Sequence, residues 1–134
     1  MAETSAKQRL IRFLQGIHLT ITRGEEQALA LDPAAANQNA FRAIMLEKAT
    51  MLKGLEDEAA NLLSEYAEES SMLGPQEVEK AEGAAETIHR FSKGANTALK
   101  LDSVFYMSAL LYPDEHKKGE PNNLERLIAW LEQE

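Results

Sequence analysis

The clearest chemical spacing in this chain is the Glu-x-x-His step formed by Glu86 and His89. Helical bundles that hold two metal ions use this step, but they need a second copy of it and two further carboxylates on facing helices. Neither His18 nor His116, the other two histidines, has a glutamate three residues before it. We therefore expect no metal site and no cofactor, and we expect His89 to be a surface or boundary residue.

Lys48 and Asp102 are charged residues at positions where an apolar residue is expected. Lys48 stands in an apolar seam, and Asp102 interrupts a later apolar stripe. A buried pair of lysine and aspartate would be a candidate for catalysis. Alternatively, the lysine stem follows its apolar neighbours while each charge meets an opposite charge or water, and a polar seam residue can also fix helix register. We favour these structural roles.

Carboxylates are plentiful, but they do not define an active site. The chain has 22 Asp and Glu residues, some in runs such as Glu56, Asp57 and Glu58. General acid–base catalysis needs a cleft that separates the pKa values of two such groups. The sequence contains no glycine-rich phosphate loop and no nucleophile elbow, and its lack of cysteine excludes thiolate catalysis, disulfides and cysteine-ligated metals. We predict that the protein is not an enzyme.

Composition and charge narrow the class of partner. A chain of 134 residues is one domain by size. Its formal charge of −8 argues against nucleic acid, because phosphate binding needs a basic surface. No stretch approaches the roughly 18 apolar residues of a membrane helix, and no signal peptide is evident. We expect a cytoplasmic protein without a membrane span, and the lack of cysteine suits that compartment.

Two apolar seams with a 3.5-residue period identify the main helices. The first lies in a predicted helix over residues 4–31, and its members are Leu10, Leu14, Ile17, Ile21, Gly24, Ala28 and Leu31. The second helix begins either at Asp32-Pro33 or near Ala40 and runs to about Met72. Its seam consists of Phe41, Met45, Lys48, Leu52, Leu55, Ala59, Leu62 and Tyr66. This period is typical of helices packed lengthwise, so we expect the two to form a long hairpin.

Residues 75–112 are predicted to form a third helix, because Gly74-Pro75 ends the second one and starts the next. Its apolar stripe has a gap at Asp102 and consists of Ile88, Phe91, Ala95, Ala98, Phe105, Ala109 and Tyr112. From Leu99 to Tyr112, apolar residues occur nearly all round the helix. We therefore expect this part to be buried on more than one side.

A linker and a short amphipathic helix are predicted after this bundle of residues 1–112. The linker covers residues 113–123, and in the helix, 124–134, Asn122 and Glu125 fit a capping box. The helix docks on the bundle, or it binds a partner groove, or it competes with a partner for the bundle's own groove. We predict an all-α fold: an elongated antiparallel bundle of three long helices plus a short C-terminal amphipathic helix.

The stretch from Ile44 to Glu56 in the second helix resembles the FlgN family of flagellar type III export chaperones. That family has a long first helix, a loop, and then a helix with the pattern E-K-x-x-L-L-x-x-L. The matching residues are Glu47, Lys48, Met51, Leu52 and Leu55. Further along, Asn96, Ala98 and Leu99 stand where the family often has asparagines before a pair of leucines. The chain differs in having one of the expected asparagines and a capped amphipathic helix at its end.

The resemblance implies a non-catalytic cytoplasmic chaperone or adaptor. Such a protein binds amphipathic helices of an export substrate of the hook–filament junction type, and its C-terminal region contacts the cargo. The apolar end of the third helix and the amphipathic tail supply the expected partner-binding residues, and the resemblance strengthens the expectation for the stripe in the tail. These residues are Leu110, Leu111, Leu124, Leu127, Ile128, Trp130 and Leu131. The alternative is a self-assembling coiled-coil structural or regulatory protein of a phage or secretion apparatus, which would form a homodimer or larger species through its seams.

Overall fold

The computed structural model describes residues 5–30, 38–112 and 120–133 of the chain. Within these ranges all regular structure is helical, as predicted. The helices are α1 (Ala6–Leu29), α2 (Gln38–Lys53), α3 (Leu55–Leu73), α4 (Pro75–Leu101), α5 (Val104–Ala109) and α6 (Asn123–Glu132). None of these helices is both long and apolar enough to cross a membrane.

The first predicted helix is confirmed as α1, with slightly shorter bounds. The Ser5 side chain caps α1 by accepting a hydrogen bond from the backbone N–H of Gln8 at 3.1 Å. The N–H of Ala6 is satisfied from another helix, since it donates to the Glu69 carboxylate at 2.9 Å. Leu31, the last member of the predicted seam, lies outside the described residues.

The second predicted helix is divided in two, which the sequence analysis did not anticipate. α2 ends at Lys53, Gly54 takes a turn conformation, and α3 begins at Leu55. Ser92 of α4 lies against this interruption: its hydroxyl donates to the carbonyl of Leu52 at 2.9 Å and accepts from the N–H of Glu56 at 3.0 Å. A side chain from another helix therefore satisfies backbone groups on both sides of the break.

The third predicted helix, 75–112, is wrong beyond residue 101. α4 ends at Leu101 because Asp102 adopts a left-handed conformation, with φ 51° and ψ 40°. Aspartate tolerates this conformation better than most residues, since its short polar side chain can bond locally. Ser103 then caps the short helix α5, its hydroxyl accepting from the N–H of Tyr106 at 3.2 Å. The gap in the apolar stripe at Asp102 is thus a helix end.

The long helices run antiparallel to their neighbours. Pairs between α3 and α4 join Tyr66 to Glu77 at 2.8 Å and Glu56 to His89 at 2.6 Å, so one number falls as the other rises. Likewise, the start of α1 contacts α3 through Arg9 and Glu65, and the end of α1 contacts α2 through Glu25 and Lys48. The chain thus folds back on itself at Gly74, whose φ of 125° favours glycine.

The core is built from the predicted seams. The fully buried large side chains of the main cluster are Leu10, Leu14, Leu52, Leu55, Tyr66, Ile88, Leu124 and Leu131. A smaller second cluster consists of Ala28, Met45, Ala49, Ala98 and Met107. Both heptad seams therefore face the interior of the same chain, and they leave little surface for a seam-to-seam subunit interface in this conformation.

Candidate functional site

Helix α6 is docked on the bundle, which is one of the three arrangements that the sequence left open. The predicted capping box is present: Asn122 accepts from the N–H of Glu125 at 2.9 Å, and its own N–H donates to that glutamate. The stripe Leu124, Leu127, Ile128 and Leu131 is buried in the main cluster, between α1 and α4. In this conformation these four predicted partner-binding residues are core residues, and their role in binding a partner stays a prediction.

Trp130, another predicted partner-binding residue, lies on Gly83 of α4. A Cβ atom added at Gly83 would stand 2.4 Å from Cη2 of Trp130 and 2.6 Å from Cζ3, so only glycine leaves room for the indole ring. Real Cβ atoms essentially never lie within 3.0 Å of another such heavy atom, so this position of the indole ring requires that residue 83 has no Cβ. A glycine within a helical segment gives no indication in the sequence that a tryptophan 47 positions later packs on it.

Polar contacts also fasten α6 to its neighbours. The ammonium of Lys80, a buried residue of α4, donates to the carbonyl of Gln133 at the end of α6. On the α1 side, Gln15 donates to Glu132 at 3.0 Å, and His18 lies 3.5 Å from Glu125. These contacts orient a helix that is already held by its apolar stripe.

The remaining predicted partner-binding residues, Leu110 and Leu111, follow α5. Leu111 is buried, with a positive φ of 75°, whereas Leu110 is half-buried. Leu110 separates two open grooves along α4. One groove, with a volume of about 550 Å³, lies toward Leu127 and Trp130 of α6. The other, of about 640 Å³, lies toward Tyr106 of α5 and is named here the α4–α5 groove.

Three exposed apolar side chains lie in or beside the α4–α5 groove: Leu101 and Tyr106 line it, and Phe105 contacts Tyr106 next to it. Leu101 is 59% exposed, Phe105 75% and Tyr106 53%. The expectation that residues 99–112 are buried on more than one side is therefore wrong for these three. The chain turns at Asp102, and this turn takes Phe105 and Tyr106 away from the core, where they contact each other edge to face. Isolated exposed apolar residues are ordinary, but a contiguous group is a feature of interaction sites.

Lys48 has the structural environment that we favoured, and it is not paired with Asp102. Its buried ammonium lies 3.6 Å from the Glu25 carboxylate and donates to the carbonyl of Ser108 at 3.2 Å. The ring of Tyr112 lies 5.0 Å away. Burial lowers the pKa of Lys48, although Glu25 opposes this shift. Asp102 instead forms an ion pair with Arg42 of α2. Lys48 thus connects α1 and α2 to the segment after α4.

Tyr66, in the second half of α3, belongs to another partly buried network of polar side chains. Its hydroxyl donates to Glu77 at 2.8 Å, and Lys7 of α1 donates to the same carboxylate at 3.2 Å. Burial raises the pKa of Tyr66, and the bond to Glu77 adds to this shift. The pKa of Glu77 is lowered, because these hydrogen bonds outweigh its own desolvation. The network joins three helices, and its members Lys7 and Glu77 line an open groove of about 740 Å³.

Glu86 and His89 do not act together in the structure. The Glu86 carboxylate pairs with Arg90 at 2.6 Å, while Nδ1 of exposed His89 lies 2.6 Å from Glu56 of α3. Among the residues that the structure describes, no group of three or more His, Asp or Glu side chains is arranged to hold a metal ion. His116 lies outside the described residues.

No family model, no curated protein and no solved structure matches this chain. The resemblance to the FlgN family therefore stays a prediction from residues 44–56.

Proposed function

We propose that this protein is a non-catalytic adaptor or chaperone that binds an amphipathic helix of a partner protein in the α4–α5 groove. The observation that carries the proposal is the exposed apolar group formed by Leu101, Phe105 and Tyr106 beside an open groove. A helix laid in such a groove would cover these side chains with its own apolar face. By the resemblance to the FlgN family, the partner is a hook–filament junction export substrate, and the binding takes place in the cytoplasm.

The groove has a further property that suits a helix. Its lining includes the small residues Gly94, Ala98 and Ala109 beside larger ones such as Leu101, Tyr106 and Leu110. Small lining residues let a second helix approach closely, so that the ligand can supply large apolar side chains. This complementarity supports helix binding better than binding of an extended strand, since the described residues offer no sheet edge.

The alternative, a self-assembling coiled-coil protein, has less support from the geometry. Assembly through the two seams would require that residues such as Leu10, Leu14 and Leu52 leave the core, where each is fully buried. Light scattering on the purified protein separates the two functions. A monomer favours the adaptor, and a stable dimer or larger species favours self-assembly.

Mixing with a purified hook–filament junction protein tests the proposed function. Size-exclusion chromatography with light scattering should show a 1:1 complex, and Phe105→Ser should abolish it. Met72→Ser is the matched control, since Met72 is 83% exposed at the end of α3, which precedes the start of α4 and not the α4–α5 groove. Deletion of α6 is unsuitable, because it would remove four core residues. A complex that survives Phe105→Ser, or no complex with any such substrate, would refute the proposal.

A further inference from the structure

The charges along the bundle are distributed unevenly, and α4 carries a basic stretch. Residues 89–101 contain Arg90, Lys93 and Lys100 and no carboxylate. By contrast, α3 contains six carboxylates, no lysine and no arginine, and the whole chain has a formal charge of −8. This stretch therefore gives α4 a locally positive surface on a protein whose net charge is negative.

This basic stretch borders the α4–α5 groove. Arg90 and Lys93 line the groove, and both are exposed. Arg90 pairs with Glu86 at its outer side, at 2.6 Å. Lys93 and Lys100 are both exposed and form no ion pair with any residue that the structure describes; Lys100 precedes Leu101 of the groove in the sequence but does not itself line it. The groove thus combines an apolar wall with an uncompensated basic edge.

The length of the groove sets the size of its occupant. From Arg90 to Leu101 the α4 axis advances about 17 Å, since each residue adds 1.5 Å. A ligand helix lying along this path would contact it over roughly three turns. One face of that helix would meet Leu101, Tyr106 and Leu110, and one flank would lie over Lys93. Lys100 follows about two turns further along the same face of α4.

We infer that the occupant of the α4–α5 groove is a helix of another protein with large apolar residues on one face and Asp or Glu along its flank. This inference rests on the proposed function and adds the charge of the partner segment. Complementary charges at the edge of an interface contribute more to orientation and partner choice than to affinity. The Lys93 and Lys100 edge would therefore select acidic amphipathic helices from among apolar ones.

Two designed peptides of 14 residues test the inference. Both have the same Leu and Phe face on an Ala-rich backbone; one has Glu along its flank and the other has Lys. Fluorescence anisotropy with the full-length protein should show about tenfold tighter binding of the Glu peptide, with the preference weakening in high salt. The double variant Lys93→Glu/Lys100→Glu should reverse the preference. Arg12→Glu/Arg23→Glu makes the same charge change on exposed α1 positions and should leave the preference unchanged.

Any of these peptide results would overturn the inference: equal binding of the two peptides, preference for the Lys peptide, binding of neither, or binding that Phe105→Ser does not weaken. A stable dimer of the protein alone that Phe105→Ser dissolves would assign the groove to a second copy and would also overturn it. Failure of the proposed function is distinguishable. If the export substrate does not bind while the Glu peptide does, the export role fails and the charge preference stands; the converse result rejects the inference alone.

Discussion

Substitution of Gly83 by alanine should destabilise the protein, against the usual direction for a helix interior. Gly83 lies within α4, where alanine is normally more stable than glycine by about 1 kcal/mol. Here the added methyl group would stand 2.4 Å from Cη2 of Trp130, well inside contact distance. The indole ring must move, because the α4 backbone is fixed by its own hydrogen bonds. The sign of the effect therefore reports whether α6 is docked on α4.

The magnitude follows from the contact that the ring would lose. A tryptophan side chain buries about 150–250 Å² when it is packed, which corresponds to roughly 4–6 kcal/mol at about 25 cal/mol per Å². Trp130 is partly buried, and the ring has to give up only part of this contact to clear the methyl group, so its displacement should cost about 2 kcal/mol. After subtraction of the helix-propensity gain, Gly83→Ala should lower the free energy of unfolding by about 1 kcal/mol.

Urea unfolding and fluorescence measure both parts of this prediction. Trp130 is the only tryptophan, so a red shift of its emission in folded Gly83→Ala would report its displacement. Gly16→Ala is the control, because a Cβ at that exposed position of α1 has nothing within 4 Å; it should stabilise the protein by up to about 1 kcal/mol. In a Trp130→Ala background, Gly83→Ala should become stabilising as well. If Gly83→Ala stabilises the parent protein as much as Gly16→Ala does, with unchanged emission, the docked position of α6 is wrong.

Two further substitutions test the buried polar contacts. Burial lowers the pKa of Lys48, so the unfolded chain binds more protons than the folded one just below the ordinary lysine pKa of 10.5. The stability of the parent protein relative to Lys48→Met should therefore rise as the pH increases toward that value; a constant difference in urea unfolding would contradict this. Ser92→Ala removes the bonds to Leu52 and Glu56 at the break between α2 and α3, and it should cost about 1–3 kcal/mol in urea unfolding. The exposed Ser71→Ala is its control, and equal effects of the two would show that Ser92 does not support the break.

The sequence predicted the parts of the fold that depend on local pattern. The seam period identified Leu10, Leu14, Leu52 and Leu55 as core residues, since residues one or two turns apart share a helix face. The helix ends at Gly74 and Asn122 followed from local backbone and capping preferences.

The remaining features depend on contacts between distant residues. The break between α2 and α3 could not be predicted from the residues around Gly54. It depends on Ser92 of α4, whose hydroxyl satisfies the freed backbone groups of Leu52 and Glu56. The gap at Asp102 was visible as a charge in an apolar stripe, but its left-handed conformation was not. The α4–α5 groove could not be predicted either, since it exists only because the chain turns after α4 and places α5 beside it.

The docking of α6 on α1 has a consequence for how the chain folds during synthesis. Gln15 and Glu132, which contact each other, are separated by 117 positions. The apolar residues of α1 that share a cluster with Leu124 and Leu131 therefore emerge from the ribosome long before their partners. Closing so long a loop slows folding, and a nascent chain would show uncovered apolar side chains until α6 is made. Such an intermediate depends on cellular folding factors, or on rapid completion of the chain, to avoid aggregation.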